Sequence, residues 1–197
     1  MNSLSTRRQI IIGFAGRAGA GKTTAAQHLV QHHGFERVRF AGPLKAMMRA
    51  LGCTEEEVDG ARKEMPCDLL GGRTPRLAMQ WLGTEWGRDM IAPDLWTRAW
   101  EYAAAGKPRV VVDDVRFPNE VEAVRRLGGV VLQLIAPGDL ALASSFAGHV
   151  SERGGLDVDA DLINCRGAGF FATLDHMMRQ QRFRASDLAG FVGALGE

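Results

Sequence analysis

The residues with the most specific spacing for chemistry form one glycine-rich stretch near the start of the chain, residues 16–23 (GRAGAGKT). It fits the pattern GxxxxGK[ST], which binds phosphate groups where a strand turns into a helix. Glycine permits positive φ angles, so successive backbone N–H groups can point inward, and the following helix aims the positive end of its dipole at the same point. The stretch therefore predicts a polyphosphate site.

Two side chains extend this predicted site. Lys22 is expected to neutralise the β- and γ-phosphate oxygens, and the Thr23 hydroxyl is expected to ligate Mg²⁺. A glycine-rich turn that only joins two elements is disfavoured, because the spacing, the flanking strand, the lysine and the hydroxyl all agree. The residues predicted to line the phosphate site are Gly16, Arg17, Ala18, Gly19, Ala20, Gly21, Lys22, Thr23 and Thr24.

The elements that must position these residues alternate between strands and helices along the chain. Apolar runs predict strands at 10–15, 37–40, 109–112, 130–135 and 162–164. Helical patterns between them, closed by glycines such as Gly34, predict right-handed crossovers. We therefore expect an α/β fold whose central sheet is mostly parallel, with helices on both faces.

An acidic pair ends the buried strand at 109–112. In a protein with this phosphate loop, an acid at the end of such a strand is expected to hold Mg²⁺, so Asp113 or Asp114 is a candidate ligand, although either one could cap a turn instead. Arg116 follows in the same loop, where it is well placed to meet an anion. The next helix is predicted to begin with Asn119 as its cap.

A helix starting at Thr74-Pro75 carries an unusual polar stripe. A solvated face would favour Glu/Lys pairs and would not need the interior glycines Gly83 and Gly87, so we interpret the stripe as a ligand-binding face and the glycines as points of close approach. The stripe, at four-residue intervals, consists of Arg76, Gln80, Thr84 and Arg88.

Two other segments keep two interpretations each, and a third has one. Phe40 to Lys45 follows a strand end, where open α/β sheets bind ligands, and Lys45 there is either a phosphate contact or an ordinary exposed lysine. The irregular segment 60–73 is either a solvated connection or a loop that closes over substrate. The helix at 94–105 is expected to pack through its aromatic residues, Tyr102 among them.

Composition excludes several classes of protein. The 197 residues suit one domain with a sizeable core, and a net charge of +1 argues against nucleic acid or a membrane surface as the main partner. The 3 cysteines are widely spaced and predict free thiols. Since no signal peptide or membrane span is recognisable, we expect a soluble, cytoplasmic protein, in a host cytoplasm if the gene is viral.

Five phrases in this order resemble one known family. They are GFAGRAGAGKTT, FAGPLK, TPRLAMQWLGTEWGRD, VVVDDVRFPNE and HVSE, and the match around them spans about residues 11–174. The resemblance is to bacteriophage deoxynucleoside monophosphate kinases. It implies a P-loop NTPase three-layer fold across a single domain, 1–197, with a helical acceptor-binding insertion at about 43–105 and a lid at about 136–156.

The resemblance also implies an activity and a set of site residues. The activity is transfer of the γ-phosphoryl group of ATP, with Mg²⁺, to a deoxynucleoside 5′-monophosphate, and a homodimer is one assembly allowed for. Asp114 becomes the preferred metal ligand beside Thr23, and Lys22, Asp114, Arg116 and Arg88 the catalytic set. The residues matched to acceptor binding are Phe40, Lys45, Arg76, Gln80, Thr84, Glu85, Arg88, His149 and Glu152.

Two departures and two alternatives accompany the resemblance. Gly42 stands where some members carry aspartate, and Ala136 where an arginine often precedes Pro-Gly, which leaves open the arginine that stabilises the transferring group. One alternative is a P-loop kinase that phosphorylates the hydroxymethyl group of 5-hydroxymethyluracil in DNA. The other is a non-enzymatic nucleotide-binding switch, which would not need paired arginines for a second phosphate.

Overall fold

The computed structural model describes residues 9–136 and 156–180. The chain divides into two compact units, one formed by Met1–Arg39 with Ala104–Glu197 and the other by Phe40–Ala103. The second unit covers most of the segment predicted as the acceptor-binding insertion. Each unit is described by itself.

The first unit contains a five-stranded sheet with the order β2-β3-β1-β4-β5. All four strand pairs are parallel, and in the central strand Gly13 lies opposite Val112 on one side and Val131 on the other. The predicted parallel sheet is confirmed. The strands are β1 (Ile10–Ala15), β2 (Glu36–Arg37), β3 (Arg109–Val112), β4 (Val130–Ile135) and β5 (Ala160–Ile163).

Helices cover both faces of this sheet, as predicted. On one face, α1 (Lys22–His33) and α7 (Ala168–Gln180) pack against alternate residues of the strands. On the other face lies α6 (Pro118–Arg126), where a Cβ at Gly129 would come within 2.8 Å of Val124. The central residues of the first face are fully buried, namely Phe14, Ala25, Leu29, Leu132, Leu134 and Leu174.

The ends of several elements differ from the sequence predictions. The predicted strand at 37–40 is shorter, because after Val38 donates its N–H to Val111 at 3.0 Å the chain turns at Phe40 into the next helix. Asn119 does not cap α6. That helix begins one residue earlier at Pro118, and the buried Glu120 carboxylate accepts the N–H groups of Arg116 and Phe117 at 2.7 and 3.1 Å.

The second unit is helical. Thr54 and Glu57 form a capping box, and Thr74 caps α4, as its sequence predicts, by accepting the Leu77 N–H at 3.2 Å. Segment 60–73 is more regular than predicted, with two short 3₁₀ turns, Ala61–Glu64 and Asp68–Leu70. The helices are α2 (Gly42–Ala50), α3 (Glu55–Val58), α4 (Pro75–Trp81) and α5 (Leu95–Ala104), with a π-helical segment, Leu82–Ile91, after α4.

The π-helical segment changes the interpretation of the polar stripe. Its hydrogen bonds span five residues, as between the Ala92 N–H and the Gly87 carbonyl at 3.0 Å, so side chains four apart no longer lie above one another. The close approach at the glycines is made by protein. The Trp96 indole lies 2.6 Å from where a Gly87 Cβ would be, and its Nε1 donates to the Gly83 carbonyl at 2.8 Å.

One aromatic prediction on α5 is wrong. Trp100 is fully buried, as expected, but Tyr102 is 85% exposed because the chain turns it away from the packed side of the helix.

Among the described residues, no helix is both long and apolar enough to cross a membrane. The predicted lid, apart from its end residues 136 and 156, lies outside the described residues.

Candidate nucleotide-binding site

The glycine-rich loop has the backbone that its sequence predicts. Gly16, Gly19 and Gly21 have φ angles of 133°, 80° and 93°, which residues with a Cβ rarely adopt. The Lys22 ammonium donates to the carbonyls of Gly16 and Arg17 at 2.7 and 2.8 Å, so its side chain curls over the loop. Helix α1 starts at Lys22, and its first N–H groups have no partner within the helix. The loop and the helix terminus together can bind an anion.

A second loop, residues 164–167 after β5, packs against the phosphate loop. The buried Asn164 amide donates to the Ala20 carbonyl at 2.8 Å, and its Oδ1 accepts the Arg166 N–H at 3.0 Å. Arg166 has a positive φ of 57°. A Cβ at Gly21 would lie 2.2 Å from Asn164 Nδ2. Glycine at position 21 is therefore required both by its backbone conformation and by this neighbour.

Asp113 follows β3 and contacts the phosphate loop. The Thr23 hydroxyl donates to Asp113 Oδ2 at 2.9 Å. On its other side the carboxylate receives two bonds from the Arg37 guanidinium, one from Nε at 2.8 Å and one from Nη2. The Asp113 side chain is 2% exposed, so the paired guanidinium offsets the cost of burying it and fixes its orientation.

The charges around Lys22 act in both directions. Burial lowers the pKa of Lys22 below its ordinary value, and the positive charge of Arg116 lowers it further, whereas the carboxylates of Asp113 and Asp114 raise it. The structure thus brings together Lys22, Thr23, Arg116 and both acids within the first unit. These charges favour binding of an anion together with a cation.

The predicted acceptor residues of the second unit are mostly at its surface. Arg76 pairs with Glu64. Lys45 was predicted either to contact a phosphate or to be an ordinary exposed lysine, and the structure instead pairs it with Asp59 of the same unit. Phe40 is buried with its ring centroid 4.7 Å from that of Trp100. Gln80, Thr84 and Glu85 are exposed, and Arg88 is half-buried. His149 and Glu152 lie outside the described residues.

Two residues of the site were not predicted. Arg37 was predicted only as the start of a strand, and because that strand also contains Arg39, the local sequence does not single out the partner of the acid. Asn164 was predicted only as the last residue of the strand at 162–164. Its polar side chain follows a strand carboxyl end, which is the position that signals a ligand-side role in a parallel sheet.

Comparison with known proteins decides the family. A protein of Acanthamoeba polyphaga mimivirus, named "Putative deoxynucleotide monophosphate kinase", is 35% identical over 171 residues, which cover 79% of this chain and 88% of that protein. The chain belongs to the deoxynucleotide monophosphate kinase family. As a member of this family it is a kinase with a nucleotide-binding P-loop. The relative comes from a giant virus, and bacteriophage origin stays a prediction. No model of a protein family matches the chain.

Solved structures similar to the chain include several kinases. TT1252 from Thermus thermophilus is 23% identical, with 88% of this chain and 96% of that chain covered and a TM-score of 0.48. The APS kinase CysC of Mycobacterium tuberculosis in complex with AMPPNP and APS is 11% identical, with coverages of 88% and 98% and a TM-score of 0.44. Similarity at this level does not show a shared activity or substrate.

The packing of Asn164 on the phosphate loop predicts a specific pattern of stability. Gly19→Ala and Gly21→Ala each place a Cβ at a positive φ and should lose about 1–2 kcal/mol of unfolding free energy. Gly21→Ala should lose more, because position 19 has open space around it and position 21 faces Asn164. The measurement is urea denaturation of the purified variants.

A double-mutant cycle isolates the contribution of Asn164. The double variant Gly21→Ala/Asn164→Ala should lose less unfolding free energy than the sum of the two single losses, with a coupling energy of about 0.5–3 kcal/mol. Adding Asn164→Ala to Gly19→Ala should show no such coupling. Equal costs of the two glycine variants, or strict additivity at position 21, would contradict the packing described.

Proposed function

We propose that this family member transfers the γ-phosphoryl group of ATP to a deoxynucleoside 5′-monophosphate and releases the diphosphate. The observation that carries the donor side is the contact of the Thr23 hydroxyl with buried Asp113 beside the phosphate loop. In this contact a hydroxyl oxygen and a carboxylate oxygen lie beside the loop and helix terminus that can bind an anion. The acceptor is proposed from the family membership and from the arginines of α4 and the π-helical segment.

The donor set fits Mg²⁺. This cation prefers oxygen ligands, retains several waters and is typically held by one hydroxyl, one carboxylate and the substrate phosphates, which is the combination that Thr23 and Asp113 supply. When bound, Mg²⁺ neutralises phosphate charge that develops during transfer. Either acid of the pair is a candidate, and the contact with Thr23 supports Asp113, whereas the family resemblance favours Asp114.

The residues of the chain are proposed to act by positioning and charge. The Lys22 ammonium exchanges the carbonyls of Gly16 and Arg17 for β- and γ-phosphate oxygens, which are stronger acceptors. Arg116 supplies a second positive charge close to Lys22. Arg37 keeps Asp113 oriented toward Thr23 throughout. Such preorganised charges stabilise the transition state because they do not need to reorganise during the reaction.

On the acceptor side, Arg76 and Arg88 are proposed to bind the monophosphate and Gln80 to contact the base edge. The remaining acceptor contacts proposed are Phe40, Lys45, Thr84, Glu85, His149 and Glu152. No general base is needed, since an acceptor phosphate is already ionised near neutral pH. A hydroxymethyl acceptor in DNA would need a base to take its proton.

The central experiment offers the purified chain labelled ATP and Mg²⁺ with a panel of acceptors. The panel contains the four common deoxynucleoside monophosphates and DNA containing 5-hydroxymethyluracil. We expect a labelled diphosphate from at least one monophosphate and no labelled DNA. Lys22→Ala should reduce transfer by about 100-fold or more while leaving thermal unfolding nearly unchanged.

Each alternative has its own outcome in this experiment. Labelled DNA without labelled diphosphate would replace the proposal with the DNA kinase. ATP binding without transfer to any acceptor would replace it with the nucleotide switch. Near-normal turnover of Lys22→Ala would remove the phosphate loop from the mechanism altogether.

The two acids can be separated by their magnesium dependence. Asp113→Asn should raise the Mg²⁺ concentration needed for half-maximal activity by about 10- to 100-fold, because it removes a carboxylate beside Thr23. Asp114→Asn should raise it less. The measurement is the initial rate against Mg²⁺ at saturating ATP, with circular dichroism to confirm folding. The reverse order of effects would assign the metal to Asp114.

The arginine stripe predicts a selective effect on the acceptor. Arg76→Ala should raise the KM for the monophosphate by roughly 10- to 100-fold and leave the KM for ATP nearly unchanged, since a charge-assisted hydrogen bond to phosphate is lost. The matched control is Arg98→Ala, which removes an exposed arginine of the same unit whose partner is Asp94 at 2.7 Å. If both variants change the acceptor KM equally, Arg76 does not bind the acceptor.

A further inference from the structure

A cluster of two histidines and one aspartate lies on the first unit, at the C-terminal end of α1 and outside the phosphate site. His28 and His33 each direct Nε2 at the same atom, Asp175 Oδ1 of α7, at 2.7 Å. The three side chains are 12%, 18% and 32% exposed. Nothing in the nucleotide chemistry uses these groups. Within the described residues, these are the groups whose ligand atoms converge closely enough to hold a metal.

We propose that His28, His33 and Asp175 form a binding site for a divalent transition-metal ion of the Zn²⁺ type. Imidazole nitrogen and carboxylate oxygen are ordinary Zn²⁺ ligands, and three protein ligands with an open fourth position are a common set. The ligand atoms all lie within 4.8 Å of one another. The site is distinct from the one proposed for Mg²⁺, which has oxygen ligands alone.

The geometry requires only small movements. Ligand bonds of about 2.1 Å in a tetrahedral site place ligand atoms about 3.4 Å apart. Each Nε2–Oδ1 pair, now 2.7 Å apart, must therefore separate by about 0.7 Å, and the ligand atoms of the two imidazoles, which lie within 4.8 Å of each other, must approach by at most about 1.4 Å. Each ring must bind the metal through an unprotonated Nε2 and carry its one proton on Nδ1, because only an imidazole nitrogen without a proton can ligate a metal.

The surroundings support a cation at this place. The His28 ring stacks on Phe171 with centroids 4.6 Å apart and an interplanar angle of 20°, which fixes the direction of its Nε2. Helix α1 ends at His33, where the negative end of the helix dipole favours positive charge.

The fourth ligand is expected to be water. The neighbouring main-chain oxygen, that of His33, already accepts a bond from Arg109 Nη1 at 2.6 Å. His32 lies on the same helix, and its ring centroid is 4.7 Å from that of His28, but its ring is not one of the groups that converge on Asp175. Its side chain is exposed and it is not among the converging ligand atoms, so His32 provides a matched control.

The test is cobalt and zinc binding to the full chain in excess Mg²⁺ and without nucleotide. We expect one Co²⁺ per chain, with visible d–d absorption and no thiolate charge-transfer band, and displacement of that absorption by Zn²⁺. His33→Gln and Asp175→Asn should weaken Zn²⁺ binding at least about 10-fold, because mutating even a residue that only hydrogen-bonds to a metal ligand lowers metal affinity by about that factor. His32→Gln should bind as the unchanged protein does.

A second measurement keeps the test decisive if the variants fold poorly. In the unchanged protein, Zn²⁺ should shift the ring ¹⁵N signals of two histidines strongly and leave the others nearly unaffected. Zn²⁺ should also raise the thermal unfolding midpoint, because it binds only the folded arrangement. No metal binding, a thiolate band, or equal loss in His32→Gln would overturn the proposal and leave the cluster as a hydrogen-bonded link between two helices.

Discussion

The parallel register of β1 against β3 determines where the chemistry of this protein lies. Gly13 pairs with Val112, so the phosphate loop that follows one strand and the acid that follows the other leave the sheet at the same edge. That register allows the Thr23 hydroxyl to lie 2.9 Å from Asp113. A shift of one residue would exchange the faces that the side chains of β3 meet and would move Asp113 away from Thr23, so the packing of the sheet and the site specify the same alignment.

The first unit could be predicted in large part from the sequence. The bounds of β1, β3 and β4 are those predicted, because buried parallel strands appear in the sequence as nearly continuous apolar runs. The strand β2 is harder, since only Glu36 and Arg37 pair before the chain turns. The partner of Asp113 was missed for the same reason, because no local pattern shows which arginine faces a given acid across a sheet.

The second unit could be predicted less well, although its caps were recognisable. Thr54 and Thr74 are capping residues with a local sequence signature, and both act as expected. The π-helical segment has no such signature. It accompanies the packing of the Trp96 indole on Gly87, a contact between residues that periodicity alone cannot bring together. The interior glycines, predicted as points of close approach to a ligand, are therefore explained by packing within the protein.

The π-helical segment also limits how this family can change in length. Each of its turns encloses one residue more than an α-helical turn, as the Ala92–Gly87 bond shows. Deleting one residue between 82 and 91 would let the backbone return to α-helical bonding, but it would rotate every later side chain by about 100°. Gly83 and Gly87 would then no longer face one indole. A relative that is shorter here by one residue must therefore have replaced the Trp96 packing, so insertions and deletions in this segment and the residue at position 96 should change together.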